Sequence, residues 1–223
     1  MEVKFKFLYI LFLYCLFGYE KHEYKIKSFG VPVAKCFVTI SDTIYDNQIS
    51  TLLKYEVKTL NIFNTFYPIK NEYLIIIDDN YTTKYFEKNT IQPNIQNYIK
   101  TESRDDKIYY YDTEYLIPSK TLNIFSLLYA LVNESFNKVS YNKNMLEREG
   151  KFYFYSIKKA DQKYILDLNP IDDDNGVIEH TDIFTWALFK SNVQRTITLN
   201  NNRIEKCLVK SGFLNFTAEY VYK

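Results

Sequence analysis

The sequence predicts a mainly β protein: a single curved antiparallel sheet or partial β-barrel with one or two short helices. Three observations carry this. Apolar and polar residues alternate with period two through most of the chain, as expected of strands with one face on a core and one in water. Tyr 22, Phe 17 and Trp 1 raise aromatic content to 18%, and rings with β-branched residues suit a pleated surface. Gly 5 and Pro 5 are few in 223 residues, so no long flexible linker divides the chain and one domain is the simplest account.

Residues 1–18 stand apart. Lys4 and Lys6 precede the uncharged run Phe7–Gly18. A basic start and a short apolar run form the secretory signal pattern, and the run is too short to span a bilayer. The expectation is a signal peptide over 1–18 and an exported β-rich domain over 19–223, with no transmembrane span once the signal is removed. The alternative is a buried first strand.

Strands follow in order. Ala34, Cys36, Val38 and Ile40 share one face. Leu53, Tyr55 and Val57 alternate with Lys54, Glu56 and Lys58. Tyr73, Ile75 and Ile77 precede a turn at Asp78-Asp79-Asn80. Phe152 and Phe154 oppose Tyr153, Tyr155 and Ile157. Ile197 and Leu199 lead to the turn Asn200-Asn201-Asn202. Leu214, Phe216, Ala218, Tyr220 and Tyr222 face away from Asn215, Thr217 and Glu219 in the last strand. Two stretches break the rhythm. Leu122, Phe125, Leu128 and Val132 recur at helical spacing within Thr121–Ser135, with Ser119 or Thr121 as the cap. Ile62, Phe63 and Phe66, stopped by Pro68, predict a shorter helical turn. Thr101–Lys107 and Asp172–Gly176 read as hairpin loops.

Function classes narrow by charge and by absent motifs. Lys+Arg 28 against Asp+Glu 27 leaves a net +1, which disfavours an electrostatic nucleic-acid binder. Two histidines supply little for a His-based metal site or triad. No G-x-S-x-G, P-loop, Rossmann glycine pattern, HExxH or CxxC occurs, and no cofactor is expected. Asp172-Asp173-Asp174-Asn175-Gly176 invites a calcium reading, but its spacing puts Ile171 where the first carboxylate of the loop belongs. The glycosylation acceptor pattern occurs at Asn80, Asn133 and Asn215, as chance allows in an Asn-rich chain.

The remaining candidates are few. Trp186 and Arg195, read on adjacent strands, could clamp an acidic ligand group or staple a hairpin. Cys36 and Cys207 would be the two cysteines of the mature chain; they could form one bridge if the first and last strands meet, or stay as buried thiols. Tyr109-Tyr110-Tyr111 and Phe152-Tyr153-Phe154-Tyr155 place rings on both strand faces, as a ligand cleft or interaction surface would.

Several segments resemble a bacterial exported family known as domain-of-unknown-function family 3108. They are Phe29-Gly30-Val31-Pro32-Val33-Ala34, Tyr67-Pro68-Ile69-Lys70-Asn71-Glu72-Tyr73 running on to Asp78, and the helical Phe125-Ser126-Leu127-Leu128-Tyr129-Ala130-Leu131. The stretch from Phe184-Thr185-Trp186 to Asn192-Val193-Gln194-Arg195, then Gly212-Phe213-Leu214, completes the set. Asn192 and Thr196 replace that family's acidic residue and proline, and no Arg follows the helix. The resemblance implies an exported, periplasmic or outer-membrane-associated β protein of a Gram-negative bacterium, with no established activity. The expected role is non-enzymatic: binding a lipid-like ligand, or an envelope protein, in the curved sheet. The alternatives are an envelope-acting hydrolase working through carboxylates such as Asp78, Asp167 or Glu179, and a purely structural envelope component.

Overall fold

The computed structural model describes residues 19–104, 107–110, 116–118, 121–133, 145–171 and 182–222. The signal reading of residues 1–18, the turn Asp172–Gly176 and Glu179 fall outside them. The described residues form one antiparallel sheet of fourteen strands in the order β8-β7-β6-β5-β4-β3-β2-β1-β14-β13-β12-β11-β10-β9, as the alternation predicts. The first half is a meander: β1 (Tyr19–Ser28), β2 (Val31–Tyr45), β3 (Gln48–Thr59), β4 (Lys70–Ile77), β5 (Thr83–Gln92), β6 (Ile95–Arg104), β7 (Lys107–Tyr110) and β8 (Leu116–Pro118). The second half is another: β9 (Met145–Arg148), β10 (Lys151–Ala160), β11 (Lys163–Pro170), β12 (Gln194–Leu199), β13 (Ile204–Ser211) and β14 (Leu214–Tyr220). The two join where β1 pairs with β14, from Tyr24↔Tyr220 to Ser28↔Phe216.

Tight turns fix the registers. Asp46-Asn47 and Glu149-Gly150 both take positive φ at both positions, the two-residue turn whose twist matches a hairpin. Thr101–Arg104, expected as loop, instead continues β6 and pairs with β7.

The alternation gives the sheet its two surfaces. Lys21, Glu23, Lys25 and Lys27 of β1 alternate with His22, Tyr24 and Ile26, which face the interior. Across the outer face, Lys27 and Lys206 both reach Glu219, and Lys35 reaches Glu23 at 2.9 Å. A lipid-spanning barrel carries an apolar band there instead. No helix among the described residues is long and apolar enough to cross a membrane.

Among the described residues three helices accompany the sheet: α1 (Asn61–Phe66), α2 (Ile124–Val132) and α3 (Ile183–Phe189). The first two were expected, the third was not. α2 is capped by Asn123 and not by the expected Thr121, while Ser119 lies outside the described residues. The Asn123 side chain accepts from the Ser126 amide at 2.8 Å, and Ser126 Oγ accepts from the Asn123 amide at 3.1 Å. This reciprocal pair satisfies two amides that the helix start leaves open. α2 lies against the concave face and joins the two halves of the core. Its fully buried Leu127, Ala130 and Leu131 pack with Leu146, Tyr155, Leu166 and Ile197 of the second half. Its Phe125 ring meets Tyr55 and Tyr73 of the first half at 4.6 and 4.9 Å between centroids.

The two ends of the sheet do not share a ladder among the described residues. A single parallel bridge links Leu122 to Leu146, with Glu147 donating its amide to Leu122 O at 2.8 Å. The β9–β10 hairpin is instead covered on both faces. Leu146 and Tyr153 face α2, while Phe152 packs on Ile99, Ile108 and Tyr110 of β6 and β7. Both ring-bearing faces of this hairpin therefore reach core, although Phe154 remains 54% exposed.

Candidate functional site

The concave side of the sheet is not filled. A cavity of about 380 Å³ opens between β1, β2, β3, β13 and β14 on one side and α2 and α3 on the other. Its walls are apolar: Ile26, Val38, Ile40, Val57, Leu128 and Val209 with the rings of Tyr24, Tyr55, Phe125 and Phe216. The volume and lining are those of a small-molecule site. Tyr24 and Tyr55 have their hydroxyls pushed far above the usual tyrosine range, first by burial and then by neighbouring ionisable groups. They stay neutral and serve as polar tips in an apolar wall.

The exposed part of the lining is polar and marks the opening: Glu20 near the start of β1, Asn202 in the β12–β13 turn and Asn133 just after α2, with half-buried His22 and Arg203 close to the first two in sequence. His22 Nε2 lies 3.3 Å from Glu20 Oε2, while its Nδ1 is buried with no partner. The Arg203 guanidinium lies 4.4 Å from the Tyr220 ring and 5.0 Å from the Tyr222 ring. Its Nε is likewise buried without an acceptor.

Below the floor lies a buried polar cluster. Tyr73 and Thr185 line the cavity, and both hydrogen-bond the Asp182 carboxylate. Lys88, fully buried on β5, reaches Asp182 Oδ2 at 2.9 Å and also pairs with Glu149. Burial alone would raise the Asp182 carboxyl, but Lys88 and the Thr185 donors outweigh it and hold it below its usual range. Glu149 goes the other way: burial raises it despite Lys88. Glu149 occupies the first position of its turn at φ 52°, a left-handed conformation that costs a non-glycine residue on the order of 1 kcal/mol. Alongside, Glu147 accepts from the Tyr110 hydroxyl and, at 2.8 Å, from the Gly150 amide. Its carboxyl is pushed up to about 7, chiefly by burial.

The expected site residues are placed differently from the sequence reading. Trp186 lies on α3 rather than on a strand, 41% exposed, with Lys190 Nζ 4.9 Å from its ring. Arg195, on β12, donates to the carbonyls of Leu188, Val193 at 3.1 Å and Lys190 at 2.7 Å. Its donors close the end of α3 and its following turn, so the two residues do not form one ligand clamp.

The first and last strands do meet, but Cys36 is on β2 and Cys207 on β13, one strand further out on each side. Three strand spacings, ~14 Å along the sheet, exceed the reach of a disulfide. Both are free thiols lining the cavity, pushed up by burial to about 12 and about 11. Such thiols are neutral and unreactive.

Asp78 is spent on its turn, accepting from the amides of Asn80 and Thr82 at 2.9 Å each, and ion-pairs with Lys84. Asp167, on β11, faces Lys158 at 3.9 Å. The two share no cleft among the described residues.

The sequence reading missed Arg203, Lys88 and Asp182. Lys88 stands between Phe86 and Thr90 in the inward phase of β5, and Asp182 precedes Phe184, Ala187 and Leu188 at helical spacing. Those were the available signals.

No family model matches the chain, and no curated protein matches it. The resemblance to family 3108 therefore rests on its short motifs alone. Among solved structures, the chain is similar to a beta-barrel-like protein of domain of unknown function DUF1849 from Brucella abortus. The identity is 8%, the TM-score 0.47, and the match covers 90% of this chain and 95% of that one.

Proposed function

We propose that this chain is an exported, non-enzymatic binding protein of the cell envelope that takes a lipid-like ligand into the cavity of its curved sheet. The carrying observation is the apolar cavity itself, roofed by α2 and α3 and open at a polar end. A space of that size lined by Tyr, Phe, Ile and Val loses free energy if it holds water, and gains it when apolar surface replaces that water. The basic, then apolar, residues 1–18 support a periplasmic or outer-membrane-associated location. The charged outer face of β1–β3 supports a domain that carries its apolar surface inside. The hydrolase alternative has less support: Asp78 and Asp167 lie apart on β4–β5 and β11, Glu179 lies outside the described residues, and the shifted carboxylates Glu147, Glu149 and Asp182 do not line the cavity.

The test is direct. The full chain, purified from an envelope fraction without detergent, is extracted with organic solvent and the extract is analysed by mass spectrometry. A lipid in near-equal molar amount with the protein is the expected result, and it is lost in Val38→Trp, which fills the cavity. Lipid-free protein that also fails to take up added amphiphiles overturns the proposal. A protein recovered at fixed stoichiometry in place of lipid favours the structural-component alternative.

A further inference from the structure

The cavity's mouth says more about the ligand than its walls do. Most cations of the sheet have an oxygen partner. On the outer face Lys27, Lys35, Lys54, Lys70, Lys84 and Lys206 pair with carboxylates. Of the four arginines, Arg104 binds Glu102, Arg148 lies 3.9 Å from Glu149, and Arg195 takes three carbonyls. Arg148 also keeps Nε and one Nη without an acceptor, but it does not line the cavity; Arg203 is the arginine with neither a carboxylate nor a carbonyl partner among the described residues, and its Nε too has no acceptor. It is also the one arginine that lines the cavity.

We infer that the ligand is a single-chain amphiphile with an anionic head, whose tail fills the cavity and whose head is held at the mouth by Arg203 and His22. This inference rests on the reading of the cavity as a lipid-like site and specifies its ligand class.

Three observations carry it. First, the guanidinium is pre-positioned. Tyr220 and Tyr222 present their rings to it, and those two rings meet edge-on at 5.1 Å. A guanidinium held against aromatic faces keeps its in-plane donors free for a carboxylate or phosphate fork. Second, a second nitrogen is waiting. His22, 5.8 Å from Tyr220 between ring centroids, buries Nδ1 without a partner at the same end of the cavity, and as the imidazolium it donates from Nδ1 to the head while Nε2 donates to Glu20. Buried polar atoms are normally satisfied; of the unpartnered ones among the described residues, which also include Arg148 Nε and the Tyr155 hydroxyl, His22 Nδ1 and Arg203 Nε are the two that belong to cavity-lining residues. Third, the volume fits one chain. At the ~30 Å³ that a water-sized group occupies, 380 Å³ takes about a dozen methylene-sized groups. The carboxylates at the rim do not oppose an anion strongly. Glu20 is 69% exposed and held by His22, and Glu205 accepts the exposed Tyr222 hydroxyl; water screens both.

The test uses the delipidated full chain and four probes that share a twelve-carbon tail: dodecanoate, dodecyl phosphate, dodecanol and dodecyltrimethylammonium. Affinities are read by displacement of a fluorescent fatty acid and confirmed by calorimetry. The expected result is that at least one anion binds about tenfold or more tighter than the alcohol and the ammonium, as one charge-assisted contact provides. The ranking of dodecanoate against dodecyl phosphate tells which head chemistry is read. Arg203→Gln brings the preferred anion down to the affinity of the alcohol and leaves the alcohol unchanged. If Arg203→Gln does not fold, two measurements on other proteins decide. Arg203→Lys keeps the charge without the fork and retains part of the preference. Added salt weakens the anion but not the alcohol in the unmodified chain. Equal binding of all four probes overturns the anionic head and leaves the apolar site standing. Binding of none overturns both.

Discussion

Glu147 is where single-residue chemistry controls the stability of this protein. Its carboxyl sits between the Tyr110 hydroxyl and the Gly150 amide, and burial pushes it from 4.5 up to about 7. The folded state therefore prefers the protonated form. Its contribution is complete below about pH 4.5 and is lost as pH rises through about 7. Asp182 behaves oppositely. Although burial acts to raise it, Lys88 and Thr185 keep its carboxyl below the usual 3.8, so its contribution is present at neutral pH and lost only under strongly acid conditions. Urea midpoints should thus peak near about pH 5, fall towards pH 8 and fall again in strong acid. Glu147→Gln keeps an acceptor for both donors and cannot ionise. It should raise the midpoint at pH 8, shrink the fall between about pH 5 and 8, and leave the acid limb unchanged. An unaltered alkaline limb would show that the burial of Glu147 does not govern it. Nothing in the sequence marks this residue, because a Glu in Met145–Arg148 looks like any outward-facing charge until the hairpin is known to be covered on both faces.

Helix α3 was the element the sequence hid, and its two ends show why. Phe184-Thr185-Trp186-Ala187-Leu188-Phe189 is short and, Thr185 aside, apolar, and such a run reads equally as a strand or a buried helix. Side chains decide the matter. Asp182 accepts from the Phe184 and Thr185 amides at 2.9 and 3.0 Å, satisfying the start. Arg195 reaches back from β12 to satisfy the end and the turn beyond it, a partner thirteen residues from Asp182 in sequence that no local pattern supplies. Helix α2 was more legible because Leu122, Phe125, Leu128 and Val132 keep a single stripe, though its cap fell at Asn123. The roles of the two expected site residues separate by mutation. Arg195→Met strands three carbonyls and should cost about 3 kcal/mol or more, lowering the melting temperature. Trp186→Ala, at an exposed position, should cost under about 0.5 kcal/mol and leave amphiphile affinity unchanged. A clamp made by both residues would instead lower affinity in each variant, so thermal melts and one binding titration distinguish the two arrangements.

At the scale of the whole molecule, the sheet was legible because period-two alternation is set locally, strand by strand. The closure of the sheet was not, because it depends on residues far apart in sequence. The rolled sheet ends at β8 and β9, and among the described residues the main-chain link to β9 from the first half is the Leu122–Leu146 bridge, made by the segment just before α2. Side chains make the rest of the seam: Lys88 of β5 to Glu149 and Asp182, Tyr73 of β4 to Asp182, and Tyr110 of β7 to Glu147. Each contact ties the first meander to the second, and Tyr73 and Thr185 make the same cluster the floor of the cavity. The seam therefore sets the curvature that leaves the cavity open. Lys88 is its hub, and removing it leaves two buried carboxylates without their cation. Lys88→Met should destabilise the protein by roughly 3–5 kcal/mol, the usual cost of breaking a buried ion pair from one side. The loss should appear in the urea midpoint at nearly constant slope. Neutralising the partners as well, in Lys88→Met with Glu149→Gln and Asp182→Asn, removes the stranded charges, while the side-chain amide introduced before α3 can still cap that helix. That triple variant should return to near the original stability, because a buried charge set replaced as a whole is often neutral. If packing by α2 alone held the two meanders together, Lys88→Met would cost no more than a surface change, and the triple variant would show no recovery to measure.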